Sequence, residues 1–599
     1  MLFLLVLALA IYVGSAGVPA LMDDADGGHA LVPREMLESH DFAVMHINGI
    51  RWLEKAPLHY WLVAASYSLL GESAFSTRLP LALGVVGLVL MVYVFGRHFF
   101  DEQAGFYAGL AMCTCIGTWT YTRAMIPEAI YALQFTAAFY FFLRAWQGTL
   151  PARAGYWGCA AMMGLAVLTR ALIGLIFPLG AITLFLLATR GQGDGKARWR
   201  ELPFWTSSLV FLLIAAPWHI LVSLRAPGFF SFYFFNEHVL RALGWRYPAD
   251  YGSVPLALWW AEHAVWLFPW SFFLPFALRD FPPPRTWKSL NHSEQARLLC
   301  FLWAGLILLF FSVSKRMEYY SFAAWPALAL LSGLALSRLE AARDKWLART
   351  SATLAVSGAL IVALFGALLW LSRNVPAGSD ITQLLAVRPV SNTTAIDNFS
   401  FLTISAFAAL RGPSIAAAIG FLIALVIPWF VRRRGHPQAA TIVMGLGMAV
   451  FLFAANAGFA AFEPRLSSRP IAEKLLPLLQ PEDQLVIYGD FYGGPTLSFY
   501  TRRKTWVYNG RYNALEFGSY FPDAPKIFLT DNDFPTFWRG PRRVFLLAPP
   551  DLRRDVLLRL PPGSSYLVAE IGGRALYVNR PLTPDQPSLA QLGERAAGQ

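Results

Sequence analysis

The chain has 599 residues, 56% of them hydrophobic and only 14% charged, with a net charge of +12. A soluble protein carries about a quarter charged residues, so this composition excludes an ordinary water-soluble fold. The positive charge does not point to nucleic acid, because Lys and Arg sit in short segments between long apolar runs rather than on one polar surface. Aromatic residues make up 15% of the chain, including 21 Trp, as interfacial belts would need.

A helix needs ~20 apolar residues to cross a bilayer. In chain order, such runs lie at 2–21, 78–97, 104–122, 128–146, 154–170, 172–189, 204–223, 258–277, 298–314, 319–337, 350–372, 412–431 and 440–462. The first lacks a positive flank and reads as a retained helix rather than a signal peptide. Cys113, Cys115, Cys159 and Cys300 all fall inside apolar runs. They read as small fillers, since a C-x-C pair on a helix points its thiols apart.

Loop charges give the runs a direction. With the N-terminus in the cytoplasm, the loops on that side hold Arg97; Arg144 and Arg153; Arg190, Lys196, Arg198 and Arg200; Arg279, Arg285, Lys288 and Arg297; Arg338, Arg343, Lys345 and Arg349; and Arg432, Arg433 and Arg434. Positive residues stay on the cytoplasmic side. Thirteen spans then leave the C-terminus outside, in the periplasm of an inner-membrane protein. The external loops at 22–77, 224–257 and 373–411 are long, and loops of such length are commonly functional. The last includes Ser391-Asn392-Thr393-Thr394.

After Phe462 the pattern changes. Residues 469–479 predict an amphipathic helix, and 484–488, 505–508, 543–547, 565–569 and 575–578 predict strands bounded by Gly and Pro turns. The expected division is a transmembrane region, 1–462, and a small external α/β domain, 463–599, with 582–599 as a loose tail. No internal repeat is evident.

Chemistry concentrates in the first external loop. Asp23, Asp24 and Asp26 follow the first run directly, ahead of His29. Crowded carboxylates raise one another's pKa values, and such clusters at a membrane edge bind cations or handle protons. The same residues could simply end a helix in a solvated loop. Downstream, Glu54-Lys55 precedes Ala-Pro-Leu-His-Tyr-Trp, where Tyr60 and Trp61 would suit an interfacial anchor.

The order acidic cluster, His29-Ala30, Arg34-Glu35-Met36, Asn48-Gly49, Glu54-Lys55-Ala56-Pro57-Leu58, Tyr60-Trp61 and Arg78-Leu79-Pro80 resembles the N-terminal third of lipid A aminoarabinose transferases. These are GT-C glycosyltransferases, with protein O-mannosyltransferases as more distant kin. Pro217-Trp218, Glu237-His238, Lys315-Arg316, Tyr319-Tyr320 and Pro326 extend the likeness, so it covers nearly the whole chain. The resemblance implies a mainly α, polytopic membrane protein with about 13 transmembrane helices and a C-terminal periplasmic α/β domain. It implies transfer of a sugar, with inversion, from a polyprenyl phosphate carrier to a lipid A-like lipid or a protein hydroxyl on the external face.

It also implies a set of site residues. The family carries Asp-Glu where this chain has Ala25-Asp26, so Asp24 and Asp26 are both expected catalytic residues, with Asp23 a third choice. Glu128 stands where relatives have an Asp five residues after an Arg, here Arg123. An Arg–Glu pair at a helix start, after Pro127, would read the same way. Glu54, Lys55, Arg123, Lys315, Arg316, Tyr319 and Tyr320 are expected to bind substrate and phosphate, and Arg170 sits where relatives carry a Lys. Snorkelling to headgroups is the alternative for the cations. A divalent metal (Zn, Mg or Mn) could be held by Glu54 and His238, or with His29. The rival reading is a transporter or flippase of a lipid-linked substrate, against which the missing repeat and the one-sided charges count.

Overall fold

The computed structural model describes residues 1–190, 202–249, 252–376, 378–379, 381–384 and 402–592. The expected loop charges Lys196, Arg198 and Arg200, and the segment Ser391–Thr394, lie outside these residues. Among the described residues, seven helices are long and apolar enough to cross a membrane: Ala74–Phe99, Phe204–Arg225, His292–Val313, Glu318–Ala341, Lys345–Leu371, Arg411–Arg433 and Pro437–Ala461. Shorter apolar helices, Leu2–Val13 and Ile173–Thr189, join them, as do Glu128–Trp146 and Ala152–Arg170.

Three expected spans differ. The first helix ends at Val13, and residues 14–22 run on without helix toward the acidic cluster. The run at 104–122 is two helices, Glu102–Thr114 and Ile116–Arg123, because Cys115 adopts extended backbone between them. The run at 258–277 becomes Leu256–Trp266 followed by short turns through Ala277. A count of thirteen regular spans is therefore not what the helices display.

Local chemistry sets the helix ends. Ser73 and Ser76 form a reciprocal capping box at the start of Ala74–Phe99, and Asn291 and Glu294 do the same for His292–Val313. Small residues set the packing. A Cβ on Gly96 would lie 2.6 Å from Gly105 Cα, so these two helices touch backbone to backbone. At the end of the bundle opposite the acidic loop, buried Glu340 accepts from Tyr107 Oη at 2.5 Å, Gln103 at 2.9 Å and Thr441 at 2.9 Å, with Arg432 at 3.3 Å. A buried carboxylate satisfied this fully acts as a structural tie.

The C-terminal region forms a six-stranded sheet in the order β5-β4-β3-β6-β8-β7. Its strands are β3 (Gln484–Tyr488), β4 (Trp506–Tyr508), β5 (Phe528–Leu529), β6 (Val544–Ala548), β7 (Tyr566–Ile571) and β8 (Arg574–Val578). The first four are parallel, and β8 and β7 run antiparallel at one side. All five expected strands are present. β5, two residues long, is too short to show as a periodic pattern.

This region docks on the first loop. There a helix, Ala25–Ser39, leads to a hairpin of β1 (His46–Ile47) and β2 (Ile50–Arg51). The hairpin turns on Asn48 and Gly49, both with positive φ, the pairing that tight hairpins favour. The Asn48 side chain donates to Thr505 O at 2.7 Å and accepts from Thr505 N at 3.0 Å, as a neighbouring strand would. Arg34 donates to Glu72 and to the carbonyls of Ser498 and Phe499, and Glu35 accepts from Gly49 N. Several residues of the recognisable 22–80 block thus hold the soluble region in place.

Candidate functional site

The three acids of the loop have three different environments. Asp26, in the first turn of Ala25–Ser39, is 1% exposed. Its Oδ2 accepts from Arg78 Nη2 at 2.6 Å and its Oδ1 from Met125 N at 2.8 Å. Arg78 also donates to the carbonyls of Pro19 and Ala20. Asp26 therefore knots the exit of the first helix, the helix Ala74–Phe99 and the turn before Glu128 into one unit.

Asp23 is held by the C-terminal region. Arg574 Nη2 lies 2.8 Å from Oδ2, Ser468 Oγ donates to the same oxygen at 2.7 Å, and Thr496 donates through N at 3.0 Å and Oγ1 at 2.5 Å. This corrects the expectation of Asp23 as a third catalytic choice, because every one of these partners is an interdomain fastening.

Asp24 lies between them with φ 69° and ψ −125°, a strained backbone for a non-glycine residue. Its N–H donates to Tyr492 O at 2.9 Å. The residue is exposed, beside the C-terminal region that Tyr492 belongs to. Burial pushes Asp24 up to about 7, and the like charges of Asp490, Asp26 and Asp23 add to the rise, against one backbone hydrogen bond from Ala25. Water at the open side screens part of this repulsion.

A cation cluster stands one helical turn away. His29, on the same helix, shares a 2.5 Å hydrogen bond with Tyr60 Oη, stacks on its ring, and meets Trp52 edge-on. Burial holds His29 well below the usual histidine range, and nearby Lys55, His59 and Arg170 reinforce the neutral form. Lys55 Nζ lies 3.3 Å from Glu54 Oε2. Glu54 Oε1 faces Arg246 at 3.1 Å, and Arg246 reaches Glu237 at 2.7 Å, with Arg241 3.3 Å from the same carboxylate. Burial lowers Lys55 despite Glu54, with Arg241 and Arg246 also opposing its charge. His238 shares this neighbourhood with Arg241, Arg170 and Lys55. Glu54 and Glu237 thus draw Lys55, Arg246 and Arg241 into one ion network.

Other expected residues are redistributed. Glu128 is 2% exposed and pairs with Arg170, not with Arg123. Arg123 instead donates to Ser15 O at 2.9 Å and lies over Trp119, which ties helices together and corrects the expected Arg123–Glu128 pair. Arg170 sits over Tyr319 at 5.8 Å, so Tyr319 borders the cluster. Tyr320 packs against Phe311. Lys315 reaches toward the Arg241–Arg246 segment, since a Cβ on Gly244 would be 3.6 Å from its Cε. Arg316, an expected phosphate ligand, has its guanidinium engaged by the protein. Its guanidinium donates to the carbonyls of Phe311, Ser312 and Val254, closing the C-terminal end of His292–Val313 as a basic cap does.

The residues proposed for a metal do not fit one. Both Glu54 oxygens already face cations, so Glu54 offers a metal no free carboxylate oxygen beside His238. Among the described residues no group of three or more His, Cys, Asp or Glu could hold a metal ion. No step below is routed through a metal.

Arg241, Arg246, Asp490 and the His29–Tyr60 contact were not legible as site features. Arg241 and Arg246 lie in a loop whose sequence offers only aromatic richness, and Asp490 arrives from more than 400 positions away in the chain.

Comparison with known proteins fits this geometry. A family model described as dolichyl-phosphate-mannose-protein mannosyltransferase matches residues 54–221. An undecaprenyl phosphate-alpha-4-amino-4-deoxy-L-arabinose arabinosyl transferase of Aeromonas salmonicida is 24% identical over 555 residues, 90% of this chain and 92% of the relative. One from an Enterobacter species is 24% identical over 86% of both chains. The crystal structure of ArnT from Cupriavidus metallidurans bound to undecaprenyl phosphate superposes with a TM-score of 0.80 at 23% identity, covering 98% of this chain and 99% of that one. Over nearly its whole length the chain shares the fold of that ArnT structure, and it is similar in sequence to the aminoarabinosyl transferases named above.

Proposed function

We propose that the protein transfers a sugar from a polyprenyl phosphate carrier to a lipid acceptor of the lipid A kind, at the membrane face that bears the C-terminal region. The loop charges support an inner-membrane topology with the N-terminus cytoplasmic and the C-terminal region periplasmic. The relatives named above, by their names, use an undecaprenyl phosphate-linked aminoarabinose. One observation carries the reading: Glu54 and Glu237 draw Lys55, Arg246 and Arg241 into one ion network, and Glu128 holds Arg170, in the fold that also places the exposed, strained Asp24 at the start of the Ala25–Ser39 helix.

An acceptor oxygen bonds to the anomeric carbon while the carbon–oxygen bond to the carrier phosphate breaks, which inverts the centre. The bond's electron pair leaves on the phosphate, where Lys55, Arg170 and Arg241 offset the developing charge. If the acceptor is a hydroxyl, its proton passes to a carboxylate. Asp24 suits that role better than Asp26, because Arg78 and Met125 hold the Asp26 oxygens while Asp24 is exposed and its affinity for a proton is matched to neutral pH. Glu128 holds Arg170 and serves as a positioning residue.

The test is mass spectrometry of lipids formed in membranes carrying Asp24→Asn, Asp26→Asn or Glu128→Gln. Loss of sugar-modified lipid in Asp24→Asn is the expected result. Full transfer by all three variants would overturn the assignment, and movement of the lipid-linked sugar without transfer would make the protein a transporter.

A further inference from the structure

The loop that supplies Glu237, Arg241 and Arg246 is built inside out. Ser231–Leu240 is a wide π-type helix that runs on through Arg241–Leu243. Its inward positions recur every four residues as Phe229, Tyr233 and Glu237, all buried, and the ions of the cluster lie on that side. Its outward positions recur at the same spacing as Phe235, Val239 and Leu243, which are 55%, 45% and 58% exposed, and Trp245 beyond them is 72% exposed. In water this places large apolar side chains in solvent and charges in protein, the reverse of an amphipathic surface helix.

The surroundings name the medium. The preceding helix, Phe204–Arg225, exposes Leu213, Ile220, Leu221 and Leu224, the apolar band of a membrane-crossing segment. On the other side, the loop packs at Gly244 against Lys315, two residues beyond Val313, which is 86% exposed at the end of another crossing helix. The outward face of 235–245 continues these two bands. At its other edge the loop is tied to the C-terminal region. Phe232 stacks on Phe517 with 3.9 Å between ring centres, and Tyr247 donates to Glu516 at 2.8 Å.

The geometry points to insertion of the Phe235–Trp245 face into the acyl chains of the leaflet on the side of the C-terminal region. Its partner is the bilayer itself, and the insertion sets the Glu237–Arg246–Glu54 network at headgroup depth. This inference does not depend on the reaction proposed above, only on the chain's membrane character.

The experiment uses the full chain in nanodiscs of phosphatidylcholine with brominated acyl chains. Val239→Cys, Leu243→Cys and, as an aqueous reference, Glu482→Cys each carry a bimane label, with label on the unsubstituted chain subtracted. Labels at 239 and 243 are expected to lose at least half their emission to the brominated lipid and to resist iodide, while the label at 482 does the opposite. Iodide quenching at 239 and 243 equal to that at 482 would overturn the insertion. Resistance to both quenchers would also overturn it, by showing that protein covers this face. If Val239→Cys misfolds, Leu243→Cys gives the same readout. Absence of sugar transfer by the unsubstituted chain, with this quenching pattern in the labelled ones, would refute the functional reading and leave the insertion standing.

Discussion

Replacing Asp23 by Ala should undock the C-terminal region rather than stop the chemistry. Asp23 and Arg574 are each 6% exposed in their side chains and lie 2.8 Å apart. The substitution removes that ion pair and three further hydrogen bonds, from Ser468 Oγ and from Thr496 N and Oγ1. It leaves the Arg574 guanidinium buried with backbone carbonyls of the 464–465 turn as its remaining acceptors. Removing one partner of a buried pair costs about 3–5 kcal/mol, or roughly 10²–10⁴ in the ratio of docked to undocked forms. The assay is limited proteolysis of the full chain at the 462–470 junction across a temperature series, alongside transfer activity. Cleavage should begin at lower temperature, and activity should fall in parallel with undocking. Asp23→Ala combined with Arg574→Leu should cost less than the two singly, because no charge is left unpaired. A variant with wild-type protease resistance and no transfer would refute the reasoning and return Asp23 to the catalytic list.

Three further outcomes follow from the site. Below about 7, transfer to a hydroxyl acceptor should rise tenfold per pH unit as Asp24 ionises, and Asp24→Asn should abolish that limb in a pH–rate profile. The sign for stability is opposite, since an acid raised from 3.8 to about 7 stabilises the fold fully below 3.8 and loses that contribution as pH climbs through 7. Lys55→Met should raise the KM for the lipid-linked donor by about tenfold or more, as loss of a charged hydrogen bond to phosphate does. Arg316→Ala should leave that KM unchanged while lowering thermal stability by about 1–3 kcal/mol, because its donors serve only carbonyls; equal donor KM effects in Lys55→Met and Arg316→Ala would contradict the division of roles.

The sequence by itself determined that this is a polytopic membrane protein with a sheet-bearing C-terminal region. Hydrophobic length and strand alternation are local properties of the chain, and each follows from backbone hydrogen bonding in lipid or in a half-buried sheet. It also located the chemistry in the loop after the first helix, since Asp, Glu, Lys and His crowded at a membrane edge are costly unless used. Roles within that loop were decided only by tertiary structure. Asp23, Asp24 and Asp26 are interchangeable as letters, but Arg574 claims the first, Arg78 and Met125 claim the last, and the middle one is left facing water. Arg123 and Arg316 looked like phosphate ligands, and the fold brings their donors to backbone carbonyls of Ser15 and of Phe311, Ser312 and Val254. Arg241 and Arg246 looked like nothing, and the fold brought them to Glu237 and Glu54. Which partner a charge finds depends on contacts hundreds of residues apart, and local sequence carries no record of those.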